Sequence, residues 1–146
     1  MLTFIRETLQ PKALDEIEDR YGNQGLELTA TRITVKGPTK HIILASIYRP
    51  PGTPMAWFDT LEALVLELAA MGPLGILGDL NADLLKPRSG AAKYLKKALA
   101  LGEMKVSNIT PTRICATAAT CLQWYSRRQN SRINCEDKPP GGPGRG

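Results

Sequence analysis

The chain has 146 residues, 42% of them hydrophobic, the length and composition of one soluble globular domain with a sizeable core. No apolar run reaches the ~18 residues of a membrane span, and Met1 to Ile5 run at once into Arg6 and Glu7 without the pattern of a secretory leader, so an intracellular protein is expected. The formal charge of +5 suggests a nucleic-acid binder only until it is located: residues 1–103 hold 12 Lys or Arg and 12 Asp or Glu, whereas residues 104–146 hold 7 and 2.

The three cysteines, Cys115, Cys121 and Cys135, form no CxxC pair and lie far from the single histidine, His41. This argues against zinc, and an odd count without an export signal reads as reduced thiols.

In chain order, Leu2 to Thr8 is too short for a helix before Pro11 and reads as a strand. Ala13 to Arg20 is acidic and polar, and Tyr21 to Gly25 reads as a loop. Leu26 to Val35 alternates apolar and polar residues and is rich in β-branched types, as in a half-buried strand. After the turn-forming Lys36 to Lys40, the more apolar His41 to Tyr48 forms a second strand and closes a hairpin. His41 reads as a surface residue beside that turn.

Arg49-Pro50-Pro51-Gly52-Thr53-Pro54 must be a loop, with Thr53 suited to cap a helix whose first residue is Pro54. Trp57, Leu61, Leu64, Leu68 and Met71 recur at helical spacing and define an amphipathic helix, with Trp57 a packing anchor, that Gly72-Pro73 stops. The sequence then passes directly to LGILGDLNAD, Leu74 to Asp83. Strand, loop, helix, short loop, strand is the grammar of a parallel crossover, which opens the ends of both strands on one rim. Ala91 to Leu101 forms another helix with Lys93, Lys96 and Lys97 on a solvated face, and Met104 to Ile109 a short strand. From Ser126 the chain is polar, and its Pro/Gly-rich end, KPPGGPGRG, is expected to be disordered.

LGILGDLNAD stands out because an apolar strand ends abruptly in Asp79 and Asn81. Two residues apart on a strand, these side chains share a face, which is the arrangement of a site. Gly, Asp and Asn are also ordinary turn formers, so a strand running into an Asx turn remains open beside it.

Three segments carry a family resemblance. Ser46 to Pro51 (SIYRPP), then Gly78 to Asp83 (GDLNAD), then Pro111-Thr112-Arg113 resemble, in order and spacing, the endonuclease/exonuclease/phosphatase superfamily. They are most similar to the endonuclease domain of LINE-like, non-LTR retrotransposons. The resemblance spans roughly Leu2 to Thr120 and implies an α/β fold, an incomplete four-layer sandwich, with residues 1–122 as a partial domain and residues 123–146 as a basic disordered tail. It implies a Mg²⁺-dependent phosphodiesterase acting on nucleic acid, DNA in the family. Asp79 resembles the aspartate that orients or deprotonates the attacking water, Asn81 the asparagine that contacts the scissile phosphate, and Tyr48 a tyrosine whose hydroxyl reaches the same phosphate. Those types suit the chemistry, since in-line attack needs a positioned water and donors for the crowded oxygens. Arg49 either adds a charged donor or braces its loop.

The departures are as specific. The family's upstream strands, which supply an asparagine and a metal-binding glutamate, have no counterpart here, so Asp79 and Asp83 are the carboxylates left for a cation. Where the family has an aspartate followed by a histidine, this chain has Gln123 and Trp124. The expectation is a fragment with weak turnover or none, a pseudoenzyme; the alternative is a non-catalytic interaction module that uses the basic tail.

Overall fold

In a computed structural model of the chain, the described residues are 3–34 and 41–106, with three further backbone strands at 113–115, 118–120 and 123–127. In chain order the elements are β1 (Pro11–Ala13), α1 (Asp15–Gly22), β2 (Glu27–Thr34), β3 (His41–Tyr48), α2 (Trp57–Met71), β4 (Leu74–Asp79), α3 (Gly90–Leu101), β5 (Met104–Val106), β6 (Arg113–Cys115), β7 (Ala118–Thr120) and β8 (Gln123–Arg127). A six-stranded sheet runs β1-β2-β3-β4-β8-β5, and β6 pairs with β7 apart from it.

The expected hairpin is present, with β2 and β3 antiparallel from Glu27↔Tyr48 to Thr34↔His41. The crossover is present too: β4 lies parallel to β3, from Ile43↔Leu74 to Tyr48↔Asp79. Alternation sorts the side chains of both strands. Ile43, Ala45 and Ile47 of β3, with Leu74 and Ile76 of β4, are buried in one core with the helices. Ile42, Leu44, Ser46, Tyr48, Leu77 and Asp79 occupy the other face.

The α2 stripe is wider than its sequence spacing suggests, because Phe58, Val65 and Ala69 are buried along with Trp57, Leu61, Leu64 and Leu68. Two neighbours explain the width. Helix α3 packs Ala92, Leu95, Ala98 and Leu99 into the same core, and α1 adds Ile17 and Tyr21. Gly102 permits the α2–α3 approach, since a Cβ there would lie 2.4 Å from Val65 Cγ1. The C-terminus of α2 is closed by His41, whose Nε2 lies 2.9 Å from the Met71 carbonyl oxygen, so the residue expected at the surface is half-buried and holds a helix end.

Three expectations are corrected. Residues 3–6 form no strand; Thr3 instead lies over the sheet, its Oγ1 within 2.6 Å of Thr29 Oγ1 and 3.0 Å of Ser46 Oγ, and a 3₁₀ turn follows at Glu7–Leu9. The loop expected from Tyr21 starts later, because helix α1 runs through the acidic stretch to Gly22, with only Ile17 and Tyr21 turned inward, one turn apart. Thr53 does not cap α2: its hydroxyl donates to the Pro50 carbonyl at 2.7 Å, and successive three-residue turns lead in until the helix begins at Trp57. Gln123–Arg127 is strand β8, inserted between β4 and β5. Trp124 and Tyr125 are strand-forming types, and pairing with two strands outweighs the polar flanks. Residues 35–40, 107–112 and 128–146, which include the hairpin turn, Pro111-Thr112 and most of the basic tail, lie outside the described residues.

Candidate active site

The parallel pair β3–β4 ends at one rim, and the candidate residues gather there. Tyr48 and Asp79 are direct register partners, so their side chains leave the same face of neighbouring strands about 4.8 Å apart. The Arg49 backbone N–H continues the ladder one step, donating to the Asp79 carbonyl at 2.9 Å. Asp79 is exposed and Tyr48 half-buried. Glu27 on β2 pairs with Tyr48 from the other side. Its exposed carboxylate is a member of this row that sequence reasoning missed, since only the register reveals it; two strand spacings, about 10 Å, separate it from Asp79.

Gly78 is what lets β4 run so close to β3. Its φ is +142°, and a Cβ at that position would lie 1.8 Å from the Ile47 carbonyl oxygen. Beyond it the chain turns at once. Asp79 Oδ1 accepts from the Asn81 backbone N–H at 3.0 Å, and Asn81 takes a left-handed φ of +44°. This is an Asx turn, so Asn81 is not a second step along the strand, which ends at Asp79. The turn nonetheless keeps the two side chains on the open side, because Leu80 and Ala82 between and after them are buried while Asp79 and Asn81 are exposed. The Asx turn that the sequence left open is therefore present, and it, not strand alternation, sets the pair.

Asn81 is held to the neighbouring loop. Its Nδ2 donates to the Arg49 carbonyl at 2.6 Å, and Arg49 Nη1 returns a bond to the Asn81 carbonyl at 3.4 Å. Arg49 Nη2 also donates to the Thr53 carbonyl, and the guanidinium lies 4.9 Å from the Phe58 ring centroid and 5.8 Å from that of Trp57. At 4% exposure, it is a brace that joins the two rim loops to the start of α2. Burial lowers its pKa below the ordinary arginine value. Among the described residues no hydrogen bond engages the second Nδ2 hydrogen or Oδ1 of Asn81, or Asp79 Oδ2.

The donor set does not amount to a metal cage. Among the described residues no group of three or more His, Cys, Asp or Glu side chains comes together. Asp83, the second carboxylate expected for a cation, is turned into its own loop: Oδ1 accepts from the Leu85 backbone N–H at 3.0 Å, and Oδ2 lies 3.8 Å from Lys86 Nζ. Among the described rim residues a magnesium ion would thus find Asp79, with Glu27 about 10 Å away, and a site of that kind depends on oxygens that a phosphate substrate brings. At the other edge of β4, the backbone pairs Gly78 with Gln123 and Leu77 with Trp124. The two positions where the resembled pattern carries aspartate and histidine therefore stand beside the rim strand.

The fold is similar to that of the endonuclease domain of TRAS1, a telomere-specific non-LTR retrotransposon, with a TM-score of 0.63, 17% sequence identity and 84% of this chain covered. At that identity the likeness is one of fold. The chain spans 57% of the TRAS1 domain, a little over half its length. A beta toxin structure from Staphylococcus aureus overlaps at a TM-score of 0.41 and 11% identity, over 70% of this chain and 43% of the toxin. No protein-family model matches the chain, and no curated protein matches it in sequence. Among the described residues no helix is long and apolar enough to cross a membrane.

Proposed function

We propose that the rim formed by β3 and β4 is part of a nucleic-acid phosphodiesterase site of the retrotransposon-endonuclease kind, with binding retained and turnover low. The observation that carries this reading is the register pair Tyr48↔Asp79 beside the turn that presents Asn81. Asp79 Oδ2 orients the attacking water and takes up its proton, while Oδ1 stays committed to the turn. The free amide hydrogen of Asn81 and the Tyr48 hydroxyl donate to the phosphate oxygens as negative charge builds on them. A magnesium ion bound with substrate would offset that charge.

Low turnover follows from the neighbours of this row. Gln123 and Trp124 supply neither the carboxylate nor the imidazole of the resembled pattern, and loss of one positioned electrostatic group costs ~10²–10³ in rate. Nicking of supercoiled plasmid in MgCl₂ tests the proposal: slow nicking by the wild-type chain, reduced ~10²-fold or more by Asp79→Ala, supports it. Equal nicking by both, or none by either, rejects it.

A further inference from the structure

The balance of charge over residues 1–103 conceals a separation. Residues 1–83 hold 7 Lys or Arg and 11 Asp or Glu, whereas residues 84–102 hold 5 Lys or Arg and no carboxylate at all. Those five, Lys86, Arg88, Lys93, Lys96 and Lys97, are all exposed. The first two stand on the loop that leaves the candidate site, and the other three on the outer surface of α3. The cationic stretch therefore begins three residues after Asp83 and leads away from the rim.

The loop is not a loose string. Asp83 Oδ1 takes the Leu85 N–H, the Lys86 N–H donates to the Asp83 carbonyl at 3.0 Å, and the Ser89 N–H to the Lys86 carbonyl at 2.9 Å. Ser89 Oγ then caps α3 by accepting from the Ala92 N–H at 3.2 Å. On α3, Lys93, Lys96 and Lys97 lie three and four residues apart on one side, a rise of about 6 Å, while Ala92, Leu95, Ala98 and Leu99 pack inward. Between the lysines, Tyr94 is 40% exposed, its ring stacked on Phe58 at 6.0 Å between centroids. Few of these cations are occupied. Lys97 pairs with Glu62 at 2.9 Å and Lys86 reaches Asp83 only at 3.8 Å, and among the described residues no ion pair engages Arg88, Lys93 or Lys96.

We infer that Lys86, Arg88, Lys93 and Lys96 form a track for the phosphate backbone of a nucleic acid that passes through the rim site. A one-sign row of exposed cations beside an exposed aromatic ring fits a polyanionic strand, whose phosphates release counterions on binding. The inference rests on the phosphodiesterase reading for the strand's path, but the track itself is a binding claim.

The test is fluorescence anisotropy of a labelled short DNA duplex with the full chain in EDTA, across about 50–200 mM salt. Cleavage plays no part there, so failure of the phosphodiesterase reading leaves the measurement intact. The fourfold variant Lys86→Gln, Arg88→Gln, Lys93→Gln, Lys96→Gln is expected to bind ~10-fold or more weakly at low salt, with the slope of log K against log salt reduced by about 0.9 for each phosphate that the variant no longer neutralises. Unchanged affinity and slope would overturn the track. So would retention of binding by that variant alongside its loss on replacing Arg127, Arg128, Arg132, Lys138 and Arg145 by Gln. Should the fourfold variant lose its circular-dichroism signal, the single reversals Arg88→Glu and Lys96→Glu at exposed positions serve instead: each weakens binding severalfold if the track exists, and no change in either overturns it.

Discussion

A few side chains set the whole rim. Gly78 is irreplaceable for a steric reason that no flexible neighbour relieves, since the added Cβ would meet backbone oxygen at 1.8 Å. Gly78→Ala is expected to cost at least ~2 kcal/mol of unfolding free energy in denaturant titration. Arg49 acts from the other strand, spanning the Asn81 and Thr53 carbonyls. Lysine keeps the charge but not the planar fork, so Arg49→Lys should lower stability by ~1–3 kcal/mol and speed hydrogen exchange at the Asn81 side-chain amide. From sequence, Asp79 and Asn81 were legible as a pair because Gly-Asp-Leu-Asn follows an apolar strand. Their geometry was not, because the Asn81 side chain is held by the Arg49 carbonyl, 32 residues away.

Legibility at the level of elements followed the strength of local pattern. Helix α2 and strands β2 to β4 carry clear periodicity, and all were evident. Helix α1 was missed because it buries only Ile17 and Tyr21, and its stability comes from tertiary ties: the Ala30 N–H donates to Glu18 Oε1 at 2.7 Å, and Tyr21 Oη to Glu67 Oε2 at 2.8 Å. The second tie predicts a pH dependence. Burial first, then the hydrogen bond and charge of Glu67, push the Tyr21 phenol up to about 12, with Arg20 opposing. The folded state thus favours the neutral phenol. This contribution is complete below the unfolded pKa of ~10 and is lost as pH rises through about 12. Denaturation midpoints followed from neutral pH upward should fall more steeply above pH ~10 in the wild type than in Tyr21→Phe. For α2, Leu64→Ala should cost ~2–5 kcal/mol, because the side chain is fully buried between the sheet and the helices.

The whole molecule was legible as α/β with a crossover, and less so in strand order. β8 pairs with β4 and β5 although the chain passes through α3 and two other strands before reaching it, and pairing of that range leaves no local trace in sequence. The same pairing sets Gln123 and Trp124 beside Gly78 and Leu77, so the residues that depart from the resembled pattern do so at the rim. The acidic residues 1–83 and the cationic residues 84–102 likewise cancel in any count of net charge. What unites these features is the claim that Tyr48 and Asp79 act on one phosphate from adjacent strands. A double-mutant cycle of Tyr48→Phe and Asp79→Asn in single-turnover plasmid nicking tests it most directly. The double variant is expected to lose clearly less than the sum of the two single losses, a coupling of ~0.5–3 kcal/mol. Strictly additive losses, or a Tyr48→Phe variant as fast as the wild type, would contradict it.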